Sequence, residues 1–152
     1  MLLDATLAFL HFLAIFLLIT FLTAEAVVLR PGITPATVRR VGIYDLLYFL
    51  SAMAALASGL LRLFLGAKGA GFYTPNPWFH AKMTVFVVIA LCSLPPTFRF
   101  RRWRRQLASR ADFVPADAEL KSARRWVMLQ AHLIVLLPLC AVLMARGIGI
   151  RG

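Results

Sequence analysis

The stretch Ala5-Thr6-Leu7-Ala8-Phe9-Leu10-His11-Phe12-Leu13-Ala14-Ile15-Phe16-Leu17-Leu18-Ile19-Thr20-Phe21-Leu22-Thr23-Ala24 decides the fold of this chain. It carries no formal charge over the roughly 20 residues that a helix needs to cross a bilayer core. Residues 126–145 form a second uncharged run of the same kind near the other end. Between them, residues 46–61 and 83–98 are shorter apolar runs with amphipathic flanks that extend both. Backbone groups in lipid must be satisfied within the segment, so the spans are helices. The expectation is an all-α integral membrane bundle of four transmembrane helices, at about 4–28, 43–65, 77–97 and 124–146.

Composition agrees. With 152 residues, 61% of them hydrophobic, and a mean hydropathy of +0.82, the chain is too apolar for an ordinary soluble domain. One unit, 1–152, accounts for the whole length. Met1-Leu2-Leu3-Asp4 lacks a basic leader and the apolar run after it is long. The first stretch therefore reads as a retained span rather than a cleaved signal.

The formal net charge is +11, and its placement sets an expected orientation. Arg99, Arg101, Arg102, Arg104, Arg105, Arg110, Lys121, Arg124 and Arg125 fall between the third and fourth runs. Arg30, Arg39 and Arg40 fall between the first and second. In a four-span chain these connections share a side, while the other side receives Arg62, Lys68, Lys82, Arg146 and Arg151. The positive-inside rule then puts the basic loops in the cytoplasm and both termini outside. Anionic headgroups are the expected partner of those loops. Nucleic acid is not, because stacking aromatics are not interleaved among the arginines beyond Trp103.

Local signals mark the ends of the spans. Arg30-Pro31-Gly32 stops the first, and 33–40 reads as a short interfacial helix. The second opens near 42–45 and stops at Gly66, Gly69 and Gly71. In it Ser51, Ala55 and Gly59 recur every four residues, a small-residue face that admits a close backbone and offers a homo-oligomer contact. Asn76-Pro77 caps and opens the third helix. Pro95-Pro96 is expected to disrupt that helix, and Pro138 to kink the fourth. Phe72 and Tyr73 are interfacial anchors.

Three histidines, His11, His80 and His132, each lie in or beside a different run. Ionisable groups there are costly. At about 1.5 Å per residue, His11 lies roughly 10 Å and His80 about 5 Å below the outer surface, whereas His132 approaches from the other leaflet. His11 and His80 are thus the pair for one site. Two readings stand: interhelical hydrogen bonding, or axial ligation of a haem iron between helices. In the second, Ala8 and Ala14 leave room for a macrocycle, and Arg62, Lys82 and Lys68 neutralise propionates. His80 and Lys82, two apart, point about 200° from each other and cannot face one centre. Either Lys82 snorkels, or it turns inward and His80 turns aside.

Met128, His132, Leu136, Cys140 and Met144 recur every four residues but drift about 40° per step, so they do not form one copper-binding face. Cys92 and Cys140 read as small hydrophobes. Asp45 is expected to pair with Arg39 or Arg40, and Glu25 with Arg30.

The run Asn76-Pro77-Trp78-Phe79-His80-Ala81-Lys82-Met83 resembles the Trp-x-His-x-Lys segment of HemJ-type protoporphyrinogen oxidases. Phe9-Leu10-His11-Phe12 resembles the histidine of their first span. Those oxidases are small haem b membrane proteins grouped loosely with the CopD-like proteins. Gly59-Leu60-Leu61-Arg62, Gly66-Ala67-Lys68-Gly69 and the Phe-His-Ala-Lys stretch resemble more closely an uncharacterised family of predicted bacterial membrane proteins. The resemblance implies His11 and His80 as haem-site residues and metal ligands and Lys82 as a functional lysine; Arg62 stays the cofactor contact its outer-side position suggests. It implies a haem-dependent redox or haem-handling protein of the bacterial cytoplasmic membrane. The competing expectation is a non-enzymatic membrane subunit, or a small-solute or metal permease component, without a cofactor.

Overall fold

A computed structural model of the chain describes residues 1–66 and 69–149. Its helices are α1 Leu2–Val28, α2 Pro35–Leu65, α3 Ala70–Tyr73, α4 Pro77–Ser109, α5 Asp117–Leu133 and α6 Leu136–Ala145. Four helical segments are long and apolar enough to span a membrane: α1, α2, α4, and α5 with α6 taken together as Asp117–Ala145. Lys68 and Arg151, counted above among the outer cations, lie outside the described residues.

Burial along α1 follows a heptad-like rhythm: Leu7, His11, Ala14, Leu18, Leu22 and Glu25 turn inward. Steps of three and four residues keep one stripe of a helix facing its neighbours. The opposite face, including Phe9, Phe12 and Phe16, is exposed as a lipid-facing surface should be. The same rhythm on α2 buries Val38, Val41, Asp45, Tyr48, Ser51, Ala55 and Ser58. α1 packs most extensively on α2 and also touches α5, while α4 packs on α2, α5 and α6. α1 and α4 therefore stand at opposite corners of the bundle.

The small face of α2 is used inside the chain. Ser51, Ala55 and Ser58 are buried, and Gly59 meets the His11 ring of α1, where an added Cβ would come within 3.1 Å of Cε1. The face expected to serve oligomerisation is the seat of α1.

Two boundaries differ from expectation, and a third, the break ahead of Pro138, follows it. Residues 35–40 are the first turns of α2 itself, because the Thr34 hydroxyl caps the helix by accepting from the Thr37 N–H at 3.3 Å, with Pro35 at the first helical position. α4 continues as one helix past Pro95 and Pro96 to Ser109. Pro96 has no N–H for the carbonyl of Cys92, and Gln130 Nε2 donates to that oxygen instead at 3.3 Å. Pro96 is accommodated by a side chain from α5. The last span breaks at Ile134–Val135, four residues before Pro138, whose missing N–H would have bonded Ile134.

The connection between α4 and α5 is folded against the bundle. Trp103 is fully buried, and its indole donates to Glu119 Oε2 at 2.8 Å. A buried ring cannot serve as a stacking platform. Arg124 of α5 donates to the Leu29 carbonyl at 2.9 Å, tying down the end of α1.

Candidate functional site

The end of the bundle that carries the termini holds one convergent set of polar side chains. His11 on α1 is buried, and its Nδ1 lies 3.0 Å from Ser58 Oγ on α2. The Ser58 hydroxyl donates to the Ala54 carbonyl at 2.6 Å, so its oxygen accepts from His11 Nδ1–H. That assignment leaves Nε2 as the lone-pair nitrogen. Ser58 and Arg62, four residues apart, share a face of α2. The charges of Lys82 and Arg62 are the two that act on His11. Lys82 also lies within electrostatic reach of Arg62 and of Cys140 on α6. The Arg62 Nε is buried with no hydrogen-bond partner.

His11, Arg62 and Lys82 are thus brought together, and His80 is not. His80 is exposed, and its Nε2 bonds the Thr74 carbonyl at 2.9 Å, closing the turn that precedes its own helix. Asn76 caps that helix by accepting from the Trp78 N–H at 2.9 Å, as the sequence implies. With the helix start so fixed, Lys82 takes the inward direction and His80 the outward one. His132 is exposed and bonds the Met128 carbonyl of its own helix at 2.6 Å. Both cysteines are free thiols. Among the described residues no three or more His, Cys, Asp or Glu side chains are placed to share a metal ion.

A second polar set lies at the opposite, basic end, with partners other than those sequence proximity predicts. Glu25 is 2% exposed and its Oε1 has no hydrogen-bond partner, so it does not pair with Arg30. Asp45 accepts from the Thr97 hydroxyl at 2.5 Å rather than from Arg39 or Arg40, which are exposed. Both arginines leave the bundle surface because α2 turns Val38, Val41 and Asp45 inward at their expense. Tyr48 donates to Gln130 Oε1 at 3.1 Å. The signal for this set was available in the α1 register: Glu25 lies fourteen positions after His11, which returns it to within about 40° of the same face.

Residues 3–149 match the family model described as Predicted membrane protein (DUF2214). No curated protein and no solved structure matches the chain.

Proposed function

The chain belongs to that family of predicted membrane proteins, and from this premise we propose that the His11–Arg62–Lys82 site binds an anionic group of a small ligand. The observation that carries the reading is the buried, partnerless Nε of Arg62 beside a second cation. A buried guanidinium N–H without an acceptor is costly. A carboxylate or phosphate supplies the acceptor and the counter-charge together.

Haem b is the specific ligand proposed, in a redox or haem-handling role. Its propionates are carboxylates, and its iron takes an imidazole nitrogen. The donor chemistry suits a haem held through one imidazole: His11 Nε2 for the iron, with Arg62 and Lys82 for the propionates. It does not suit ligation by His11 and His80 together, since His80 faces out and bonds Thr74. The haem when bound supplies one-electron chemistry. The chain contributes a fixed tautomer at His11, set by Ser58, and at Lys82 an ammonium to hold a carboxylate or pass a proton. Under the positive-inside rule the basic end faces the cytoplasm of a bacterium, among anionic headgroups, and the site opens outward.

Titrating purified protein with haem b and with iron-free protoporphyrin separates the parts of this reading. Both compounds should bind, and Arg62→Gln should weaken both. His11→Ala should abolish the iron-ligation spectrum while sparing the iron-free ligand, and His80→Ala should change neither. Failure of both compounds to bind would overturn the proposal.

A second reading has its own observation. The His11–Ser58 bond and the Gly59 contact join α1 to α2 without any ligand, as in a membrane subunit or permease component that needs no cofactor. Colourless protein that binds neither porphyrin, yet loses stability on His11→Ala, would favour it.

A further inference from the structure

The carboxyl of Glu25 is among the buried polar groups of the described residues that have an oxygen or nitrogen without a partner. The residue is 2% exposed, Oε1 has no hydrogen-bond partner, and the charge that reaches it is that of Asp45, also an acid. Glu25 and Asp45 in turn both act on the Tyr48 phenol. An isolated carboxylate in an apolar interior is unfavourable by many kcal/mol, and two neighbouring carboxylates cannot both ionise there without a cation.

The surroundings distinguish the two acids. Asp45 lines a cavity of about 170 Å³ together with Gly42, Thr97, Arg101 and Arg104. Arg101 and Arg104 are exposed at its rim, and Arg101 acts on Asp45. Asp45 therefore has a counter-charge, a hydroxyl donor in Thr97 and a route to the basic end. Glu25 does not line that cavity, its Oε1 has no donor, and no cation among the described residues acts on it. From α2, Tyr48 lies within electrostatic reach of both acids; from α4, Thr97 bonds Asp45 and Arg101 acts on it. Cys92 of α4 and Gln130 of α5 reach Tyr48 instead. Arg124 of α5 is engaged with the Leu29 carbonyl. Tyr48, by donating to Gln130, is committed away from the acids.

We propose that Glu25 and Asp45 form a proton-loading site: one proton, taken from water in the cavity beside Asp45, is held on Glu25 while Asp45 stays ionised. The step is protonation of a carboxylate to a carboxylic acid, with no other bond made or broken. The site stands apart from the His11 cluster, roughly 20 Å further along α1, and does not depend on what that cluster binds.

Infrared spectra of the full chain in liposomes test this at neutral pH. The carbonyl stretch of a protonated carboxylic acid should be present, should shift on transfer to deuterated water, and should be lost in Glu25→Gln. Asp45→Asn should move its frequency, and Leu46→Trp, which fills the cavity, should slow its deuteration. Absence of the band in the wild-type protein would overturn the proposal, as would its persistence in a folded Glu25→Gln variant. Disappearance of the band when sodium chloride replaces choline chloride would assign the site to a metal cation instead. Since the first reading is made on unaltered protein, misfolding of a variant does not blunt the test.

Discussion

His11 on α1 and Ser58 on α2 are joined by a single buried hydrogen bond of 3.0 Å, and each fixes what the other can do. Ser58 spends its proton on α2's own backbone at Ala54, so it meets the imidazole as an acceptor. Ser58→Ala removes that acceptor and strands the Nδ1–H in the interior. Hydrogen bonds between membrane helices are worth about 0.6–2 kcal/mol, and the variant should lose about 1 kcal/mol of stability. Thermal unfolding in detergent measures it. Ser58→Thr, which keeps the hydroxyl, should lose less.

Gly59 makes the contact above that bond. An alanine Cβ there would sit 3.1 Å from His11 Cε1, so the ring must yield slightly; a leucine has no such space. Gly59→Leu should cost about 1–3 kcal/mol by overpacking and leave the oligomeric state unaltered, because the face is already covered by α1. Light scattering with a thermal melt reads both quantities. Dissociation of an oligomer without a lowered melting temperature would mean that this face serves another copy of the chain.

The spans were legible because bilayer thickness imposes a length and an apolarity that short-range composition displays directly. The cap at Asn76 was equally legible, since a side chain two residues from its partner needs no tertiary information. What sequence spacing alone left open was rotation. His80 and Lys82 were known to diverge, but which of them faced inward depended on how α4 meets α2 and α6. Sequence proximity points Glu25 and Asp45 to nearby arginines, whereas burial follows the heptad stripe, which carries Glu25 inward and leaves Arg30 at the surface. The prolines misled for a related reason. Their cost is a lost hydrogen bond, and a residue 34 positions away on another helix can supply the replacement.

That replacement is testable as a coupling. Gln130 is 1% exposed and serves the Cys92 carbonyl and the Tyr48 hydroxyl at once. Gln130→Leu should cost about 1–3 kcal/mol by leaving buried polar groups unmet. Pro96→Ala restores a backbone N–H for Cys92, so it should stabilise the Gln130→Leu background more than the wild type. A double-mutant cycle should show a coupling of about 1 kcal/mol. Strict additivity would mean that Gln130 does not answer for the proline.

The hairpin between α4 and α5 rests on two contacts of unequal weight. Glu119 accepts from the Trp103 indole at 2.8 Å and from the Arg102 guanidinium. Trp103 is 0% exposed, whereas the Arg102 and Glu119 side chains are 53% and 37% exposed. Surface ion pairs contribute about 0–1 kcal/mol, while a bond to a charged acceptor from a buried donor contributes about 1.5–3 kcal/mol. Trp103→Phe forfeits that bond and some ring volume, so it should destabilise the hairpin well beyond Arg102→Ala. Glu119→Gln keeps an acceptor for the indole and should fall between them. Protease cleavage within 110–116, followed over time, orders the three variants. Equal cleavage rates for Arg102→Ala and Trp103→Phe would place the weight on the ion pair and contradict the burial argument.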